Sequence, residues 1–275
     1  MRNAEEVDRL DRLGGQLRRA GDLPAAERAY REGLALAERH LAPSDLSTAR
    51  VCNNLGVLLK YTGRFDEAAA VYERSREIFV ATLGADHTEV ATVLHNLGGL
   101  AHAAERPADG EAAAREAVRI RAAALGADHP QTAADRAALA AILDATGRHE
   151  EAIILLEGAL AIFEATLGVD HHEVGVTLGN LGAIDARLGR LERAESRLRR
   201  ALAIKKRSLG PNHPELVPTL GTLGVICRRR GDEVAARQCY ERALHLLEGR
   251  VVDDHPSLVA LRANLAVLSP TAPLA

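Results

Sequence analysis

The chain has 275 residues, 47% of them hydrophobic and 27% charged, with a formal net charge of -3. These values exclude an intrinsically disordered chain, and a charge so close to neutral provides no field that would attract nucleic acid or a membrane surface. Aromatic residues make up only 3%, so we expect a core built from Leu, Ala, Val and Ile.

The amino terminus favours a cytoplasmic protein. The segment MRNAEEVDRL is charged from its second residue and has no apolar stretch of signal-peptide length. No run of about 18 apolar residues follows that would predict a membrane span. The three cysteines, Cys52, Cys227 and Cys239, form no C-x-x-C motif and suggest no disulfide framework, which agrees with a reducing compartment.

One repeat organises the whole chain. A typical copy reads LGADHTEVATVLHNLGG. Copies begin at Leu83, Leu125, Leu167 and Leu209, with worn ones at Leu41 and Val251. The predicted units are residues 1–40, 41–82, 83–124, 125–166, 167–208 and 209–250. The copies recur at one constant interval, which is the length of a unit such as residues 83–124. Because a fixed period of this length is typical of solenoids, we expect one continuous repeat domain over residues 1–268.

Each unit is predicted to contain two helices, A and B. In the unit that begins at Leu41, apolar or small residues recur at helical spacing over residues 45–61 and again over 65–81. Glycines follow these stretches and suit the left-handed residue that ends a helix. Those after helix A are Gly21, Gly63, Gly147, Gly189 and Gly231, and those after helix B are Gly84, Gly126, Gly168 and Gly210.

A short polar segment before each A helix is predicted to cap it. The expected N-cap residues are Ser44, Asp86, Asp128, Asp170, Asn212 and Asp254. Three residues later stand Glu89, Gln131, Glu173 and Glu215, which would complete a capping box. The unit that begins at Leu83 departs from the pattern, with Glu105 at the turn and Gly110 in helix B, and we expect it to be looser or bent.

The order LG-x-DHP, N-L-G, G-R-x-x-E-A and R-A-L-x-I resembles the tetratricopeptide repeats of kinesin light chains. The resemblance covers essentially the whole chain. It implies an all-α right-handed superhelix (an α-solenoid) of six helix pairs and a C-terminal capping helix, residues 257–268, with a disordered tail over 269–275. It also implies a binding scaffold without naming a ligand.

The resemblance implies that A helices line the concave side of the superhelix. Helical phase places Cys52, Leu55, Gly56 and Leu59 on one side of the first clear A helix and leaves the opposite side free. The residues on that free side, together with those that lie whole repeat periods away from them in the other A helices, form the candidate peptide-binding groove. Its residues are Arg50, Asn53, Asn54, Lys60, His95, Asn96, His102, Asp144, Asn180, Arg187, Arg228 and Arg229.

Two features of this groove have alternative interpretations. An Asn recurs at Asn54, Asn96, Asn180 and Asn264, and it either holds an extended peptide backbone or bridges neighbouring A helices. Small residues floor the middle of the groove, and they either admit a bulky apolar side chain or simply allow close helix packing. They are Ala134, Ala137, Ala138, Ala141, Ala145, Val176, Gly179, Ala183 and Ala186.

Basic residues are concentrated late in the chain. Residues 187–230 contain 12 Arg or Lys and 3 Glu, a net of +9. Many of them fall on a B helix, so a solvated face explains them equally well. The other interpretation is a site for an acidic peptide, held by arginine side chains.

The sequence favours neither a metal site nor a catalytic site. His87, His129, His171, His213 and His255 each belong to a different unit, so we expect a local role at the helix start rather than metal binding. A metal or enzymatic site would have to use His95, His102 and Asp144, and no third convergent ligand or catalytic motif is visible.

Three charged residues stand at core-like positions. Asp185 takes the place of Leu59, and Arg136 and Arg262 take the place of leucines in other A helices. One interpretation is that they turn toward solvent, and the other is a buried Asp–Arg pair or a functional acid.

The function expected from the sequence is a non-catalytic scaffold or adaptor that binds a peptide segment of a partner, with no cofactor. Two alternatives remain. One is a regulator that senses a small peptide or metabolite, and the other is an enzyme or accessory factor of a biosynthetic pathway.

Overall fold

The computed structural model describes residues 2–248 and 255–268, and within them it contains thirteen α-helices and no strand. The first helices of the pairs, the A helices, are α1 (Arg2–Arg19), α3 (Leu46–Tyr61), α5 (Thr88–Ala103), α7 (Pro130–Ala145), α9 (His172–Arg187), α11 (Val217–Arg229) and α13 (Pro256–Ala266). The B helices are α2 (Leu23–His40), α4 (Phe65–Leu83), α6 (Pro107–Leu125), α8 (His149–Leu167), α10 (Leu191–Leu209) and α12 (Glu233–Leu247). A 3₁₀ turn, Pro214–Leu216, precedes α11. The predicted all-α arrangement of six pairs and a final helix is confirmed.

The chain divides into two compact units, each larger than a single repeat, which we call the first unit, Met1–Ala152, and the second unit, Ile153–Ala275. In the first unit, α1, α3 and α5 each pack against their own B helix and against the next A helix, as α3 does with α4 and α5. In the second unit, α9, α10, α11 and α12 follow the same order and α13 packs on α12. The predicted tail, residues 269–275, lies outside the described residues. No helix in the described part of the chain is both long and apolar enough to cross a bilayer.

The helix-ending glycines are confirmed at every predicted position. All nine have positive φ, between 75° at Gly189 and 98° at Gly126. In the unit that begins at Leu83, Glu105 takes the same conformation with φ 59°, because this unit has no glycine at the turn. Backbone conformation alone therefore explains why glycine recurs there.

The N-cap prediction is wrong by one residue. His87, His129, His171, His213 and His255 occupy the N-cap positions, and the Nδ1 atom of each accepts the backbone N–H two residues later at 3.2 Å. In the worn copy the cap is Asp45, not Ser44. Imidazole Nδ1 reaches the free N–H as a short carboxylate does, so these histidines satisfy the helix start. The local role predicted for the histidines is confirmed.

The residues before these histidines have a different role. Asp86 pairs with Arg119 of α6 and Asp170 pairs with Arg207 of α10, so each carboxylate ties the loop to the B helix of the helix pair that follows it. Asn212 accepts from Arg242 in the same way, at 2.6 Å. Asp254, also predicted as an N-cap, lies outside the described residues.

A glycine on the A helix comes close to the B helix in five of the six A–B pairs, and α7 has Ala140 at the matching position. A Cβ built on Gly14 would lie 2.6 Å from the ring of Tyr30, and one on Gly224 would lie 2.4 Å from the ring of Tyr240. In the unit that begins at Leu83, a Cβ on Gly110 would lie 2.8 Å from the carbonyl oxygen of Gly98. Glycine thus lets α5 and α6 come close at this contact.

Candidate ligand-binding surface of the A helices

The free side of α3 agrees with the prediction. Cys52, Leu55 and Leu59 are buried, whereas Arg50 and Tyr61 are exposed. The other predicted groove residues of this helix, Asn53, Asn54 and Lys60, are partly buried. Burial also lowers the pKa of Lys60, which places its ammonium group in a partly desolvated position.

The asparagines of the first unit bridge neighbouring A helices. The amide of Asn54 donates to both carboxylate oxygens of Asp11, at 2.9 and 3.0 Å, and the amide of Asn96 donates to Oδ1 of Asn53 at 2.8 Å. Their amide donors are thus engaged in stacking, as the second of the two interpretations predicted. In the second unit, Asn180 is exposed and Asn264 lines a pocket.

That pocket, which we call the apolar pocket, has a volume of about 400 Å³ and lies entirely on A helices of the second unit. Its lining comes from α9, α11 and α13: Ala183, Ala186, Arg187, Val217, Pro218, Gly221, Thr222, Val225, Arg229, Ser257, Ala260, Leu261 and Asn264. The small residues Ala183, Ala186 and Gly221 leave the space open. Apolar walls with a few polar groups are typical of ligand sites.

Two predicted arginines, Arg187 and Arg229, belong to the lining of the apolar pocket. Both are exposed, and Nη1 of Arg229 donates to the carbonyl oxygen of Ala186 at 3.0 Å, which holds its guanidinium against α9. Arg228 is exposed but does not line the pocket. The other nearby basic residues lie on α10 and form ion pairs there, for example Arg200 with Glu164 at 2.6 Å.

A second pocket, which we call the basic pocket, lies on α1, α2 and α3 of the first unit and was not predicted. It has a volume of about 300 Å³. Its lining residues are Asp11, Arg12, Gly15, Gln16, Arg18, Arg19, Tyr30 and Asn54. Burial raises the pKa of Asp11, and three guanidinium groups share this space with it. The sequence could have indicated this pocket, because Arg12 and Arg18 lie one repeat period before Asn54 and Lys60, two residues that were predicted to lie in the groove.

The predicted set of His95, His102 and Asp144 does not converge. Nδ1 of His95 lies 2.8 Å from Oδ1 of Asp135, and Nδ1 of His149 lies 2.8 Å from Oδ1 of Asp144. His102 is exposed. No group of three or more His, Cys, Asp or Glu residues suited to a metal ion occurs within residues 2–248 and 255–268.

Asp135 forms a buried ion pair that the sequence did not reveal. Its side chain is 2% exposed and accepts from Nε of Arg121 at 2.8 Å, while its other oxygen meets His95. A buried carboxylate between a guanidinium and an imidazole is fully paired. Since a carboxylate only accepts, Nδ1 of His95 donates this hydrogen bond.

Asp185 also lies in a buried ion pair, as one of the two interpretations predicted. Its carboxylate is fully buried and accepts from Nη1 of Arg197 at 2.7 Å, with Arg193 at 3.6 Å. The pair joins α9 to α10. Arg136, by contrast, is partly buried and Arg262 is exposed.

Comparison with known proteins agrees with the repeat pattern. The sequence profile of the tetratricopeptide repeat family matches residues 6–81, 48–122, 89–165, 137–207 and 173–249. No curated protein matches the sequence at a significant level.

Three solved structures are similar in fold. BtubC (BKLC) from P. vanneervenii is 19% identical, with a TM-score of 0.64 over 100% of this chain and 96% of that one. A Podosopora anserina protein named for kinesin light chain, built of nearly identical TPR-like repeats, is 24% identical, with a TM-score of 0.60 over 77% of this chain and 100% of that one. The apo quorum sensor NprR from B. thuringiensis is 13% identical, with a TM-score of 0.67 over 94% of this chain and 67% of that one. The resemblance to kinesin-light-chain-type repeats is thereby confirmed.

Proposed function

Because the chain belongs to the tetratricopeptide repeat family, we propose that it binds a peptide segment of a partner protein on its A helices and performs no chemistry of its own. The observation that carries this proposal is the apolar pocket, whose lining comes only from α9, α11 and α13. A pocket of about 400 Å³ has room for one large side chain and the backbone on either side of it.

The lining indicates which peptide would bind. An apolar side chain of the ligand would fill the space between Val217, Val225 and Leu261. A carboxylate beside it would receive hydrogen bonds from Arg187 and Arg229, because planar guanidinium groups grip carboxylates through two donors. We therefore propose an acidic ligand with at least one large apolar residue.

The basic pocket supports the same preference in the first unit. Arg12, Arg18 and Arg19 outnumber the one carboxylate, Asp11, that shares their space. Nε of Arg18 is buried and makes no hydrogen bond to any described residue. An acidic group of a ligand would satisfy this donor.

We place this binding in the cytoplasm. The three cysteines are all free, and Cys52 and Cys227 are buried, as expected for thiols used in packing. A regulator that senses a short peptide is the second candidate function. The similarity to the quorum sensor NprR favours it, and so does a pocket that one side chain would fill.

Capture of partners from a lysate of the source organism tests the proposal. Gly221→Leu should fill the apolar pocket, because the nearest atom to a Cβ on Gly221 lies 3.8 Å away. Arg187→Glu with Arg229→Glu should remove the carboxylate site. We expect both variants to lose the same captured protein while keeping wild-type helicity.

The matched control is Arg28→Glu, an exposed charge change on α2 in the other unit. It should retain the captured protein. Retention by both pocket variants would contradict the proposal. Isothermal titration with short acidic peptides then separates the two candidates, since only a sensor would bind a free peptide as tightly as the full partner.

A further inference from the structure

Neighbouring B helices of the first unit are joined by an ion-pair cluster that we call the outer clamp. Between α2 and α4 it consists of Glu27, Arg31, Arg64 and Glu67. Arg31 lies 3.0 Å from Glu67, and Arg64 lies 2.6 Å from Glu27, so each arginine reaches a carboxylate of the other helix. Between α6 and the start of α8 the same clamp is made by Glu111, Arg115, Arg148 and Glu151.

The clamp is missing between α4 and α6. The two positions on α4 that match Glu27 and Arg31 are Ala69 and Glu73. The positions that match Arg64 and Glu67 are Arg106 and Asp109, and neither has an ion-pair partner among the residues that the structure describes. This junction therefore lacks one acid and one arginine, spaced four residues apart on a helix.

A cleft of about 410 Å³ opens at this junction, which we call the outer cleft. Its floor includes Leu94 and Leu97, which are only partly buried, although Leu55, the counterpart of Leu97 in the preceding unit, is 1% exposed. These leucines are more exposed because the side chains that α6 packs over them are smaller. Where α4 has Val71 and Tyr72, α6 has two alanines at 113 and 114, so core leucines are left uncovered.

We propose that the outer cleft is a docking site for a helix of a partner protein, one that presents an acid, an arginine four residues later and an apolar residue three residues after that. The acid would pair with Arg106 and the arginine with Asp109, and the apolar side chain would cover Leu94 and Leu97. The same stripe occurs at three matching places in this chain, as Glu27, Arg31, Leu34, as Glu111, Arg115, Val118 and as Glu195, Arg199, Leu202. On α4 it reads Ala69, Glu73, Arg76, so all three features are absent together.

This inference does not depend on the proposed function, because the outer cleft lies on α4, α5 and α6 and shares no lining residue with the apolar pocket or the basic pocket. A surface with charged groups around partly exposed leucines is typical of a helix-in-groove interaction.

The probe is a fluorescein-labelled, lactam-stapled peptide that copies residues 23–40, and fluorescence anisotropy reports its binding to the full chain. We expect saturable binding that weakens by about tenfold or more when Glu27 and Arg31 of the peptide are both alanine. Ala69→Glu with Glu73→Arg should rebuild the clamp within the protein. This variant should weaken probe binding to a similar extent, while its melting temperature stays at or above that of the wild type.

A charge swap adds a test that does not rely on loss of binding. Arg106→Glu with Asp109→Arg should weaken the original probe, and a peptide with Glu27→Arg and Arg31→Glu should restore binding to this variant. The matched control makes the same swap in the closed clamp, Arg64→Glu with Glu67→Arg, and should leave probe affinity unchanged.

Three results would overturn the proposal: no saturable binding by the wild type, equal binding of the alanine peptide, or no effect of rebuilding the clamp. Concentration-dependent dimerisation of the wild type that the rebuilt clamp abolishes would also overturn it, because the occupant would then be a second copy of this chain.

Discussion

Gly56 of α3 and Tyr72 of α4 are in contact so close that no methyl group fits between them. A Cβ built on Gly56 would lie 2.6 Å from Cε1 of the tyrosine ring, and that ring is fully buried. The next helix pair also packs closely, but with smaller residues: Gly98 faces Ala114, and a Cβ on Gly98 would lie 3.1 Å from the alanine methyl. In these two pairs, the glycine on helix A and the residue that faces it on helix B thus determine how closely the helices pack.

Gly56→Ala is therefore expected to destabilise the protein. Because the buried ring has no free space beside it, the added methyl should lower the free energy of unfolding by about 1–3 kcal/mol, as overpacked cores do. Urea denaturation measures the change.

Gly15→Ala is the control for this prediction. A Cβ on Gly15 would lie 3.5 Å from Nη1 of Arg19, an ordinary contact, so the better helix propensity of alanine should stabilise the protein by about 0.5–1 kcal/mol. Equal stabilities of the two variants would show that the contact between Gly56 and Tyr72 does not limit the packing.

The repeat made the backbone predictable and left the buried charges unpredictable. The positive φ at Gly63 and Gly84 followed from the sequence because each kind of helix end recurs once in every repeat period and glycine suits that conformation best. The N-cap was misplaced because Asp and His stand side by side at each helix start, and both side chains can cap. His87 takes the position, while Asp86 turns to Arg119.

The pockets and ion pairs depend on features that a single unit does not show. Asp135 and Arg121 lie on different helices, and their partnership appears only when α6 and α7 are packed together. The outer cleft arises because residues of the clamp are missing at the junction of α4 and α6. The repeat pattern did not reveal this, because the neighbouring repeats fit the pattern. The small residues in the middle of the groove were compatible with a bay or with close helix packing, and two of them, Ala183 and Ala186, line the apolar pocket together with Arg187.

The buried pair of Arg121 and Asp135 is expected to be strongly coupled. Asp135→Val leaves a guanidinium buried without its carboxylate and should lower the free energy of unfolding by about 3–5 kcal/mol. Arg121→Phe should also destabilise, because Asp135 then keeps only His95. The preceding unit has Phe79 and Val93 at these two positions, both buried.

The double variant Arg121→Phe with Asp135→Val should therefore be more stable than either single variant. A double-mutant cycle from urea denaturation gives the coupling energy, which we expect to reach about 2 kcal/mol or more. Additive single effects would mean that the two side chains do not depend on each other.

The outer clamp predicts a pH dependence. Hydrogen bonds from Arg64, and then from Arg31, lower the pKa of Glu67 from 4.5 to about 2. A folded-state pKa below the unfolded value means that the unfolded chain takes up the proton first as the pH falls. The stability that Glu67 contributes is thus fully present above pH 4.5 and is lost as the pH falls toward about 2.

Glu67→Gln should consequently show a shallower fall in melting temperature than the wild type over that acidic range. Thermal denaturation followed by circular dichroism at a series of pH values measures it. Asp66→Asn is the control, since Asp66 forms no ion pair among the described residues, and it should keep the wild-type slope. A wild-type slope in Glu67→Gln would count against the clamp.

The histidine caps predict a graded response to substitution. Nδ1 of His171 accepts the backbone N–H of Glu173, and His171→Ala would leave that donor without its partner at the start of α9. Loss of an N-cap should lower the free energy of unfolding by about 0.5–2 kcal/mol. His171→Ser should retain most of the wild-type stability, because a serine hydroxyl caps in the same way, and urea denaturation compares the two. If serine destabilised as much as alanine, the imidazole would be needed for packing rather than for capping, and its recurrence at five helix starts would require another explanation.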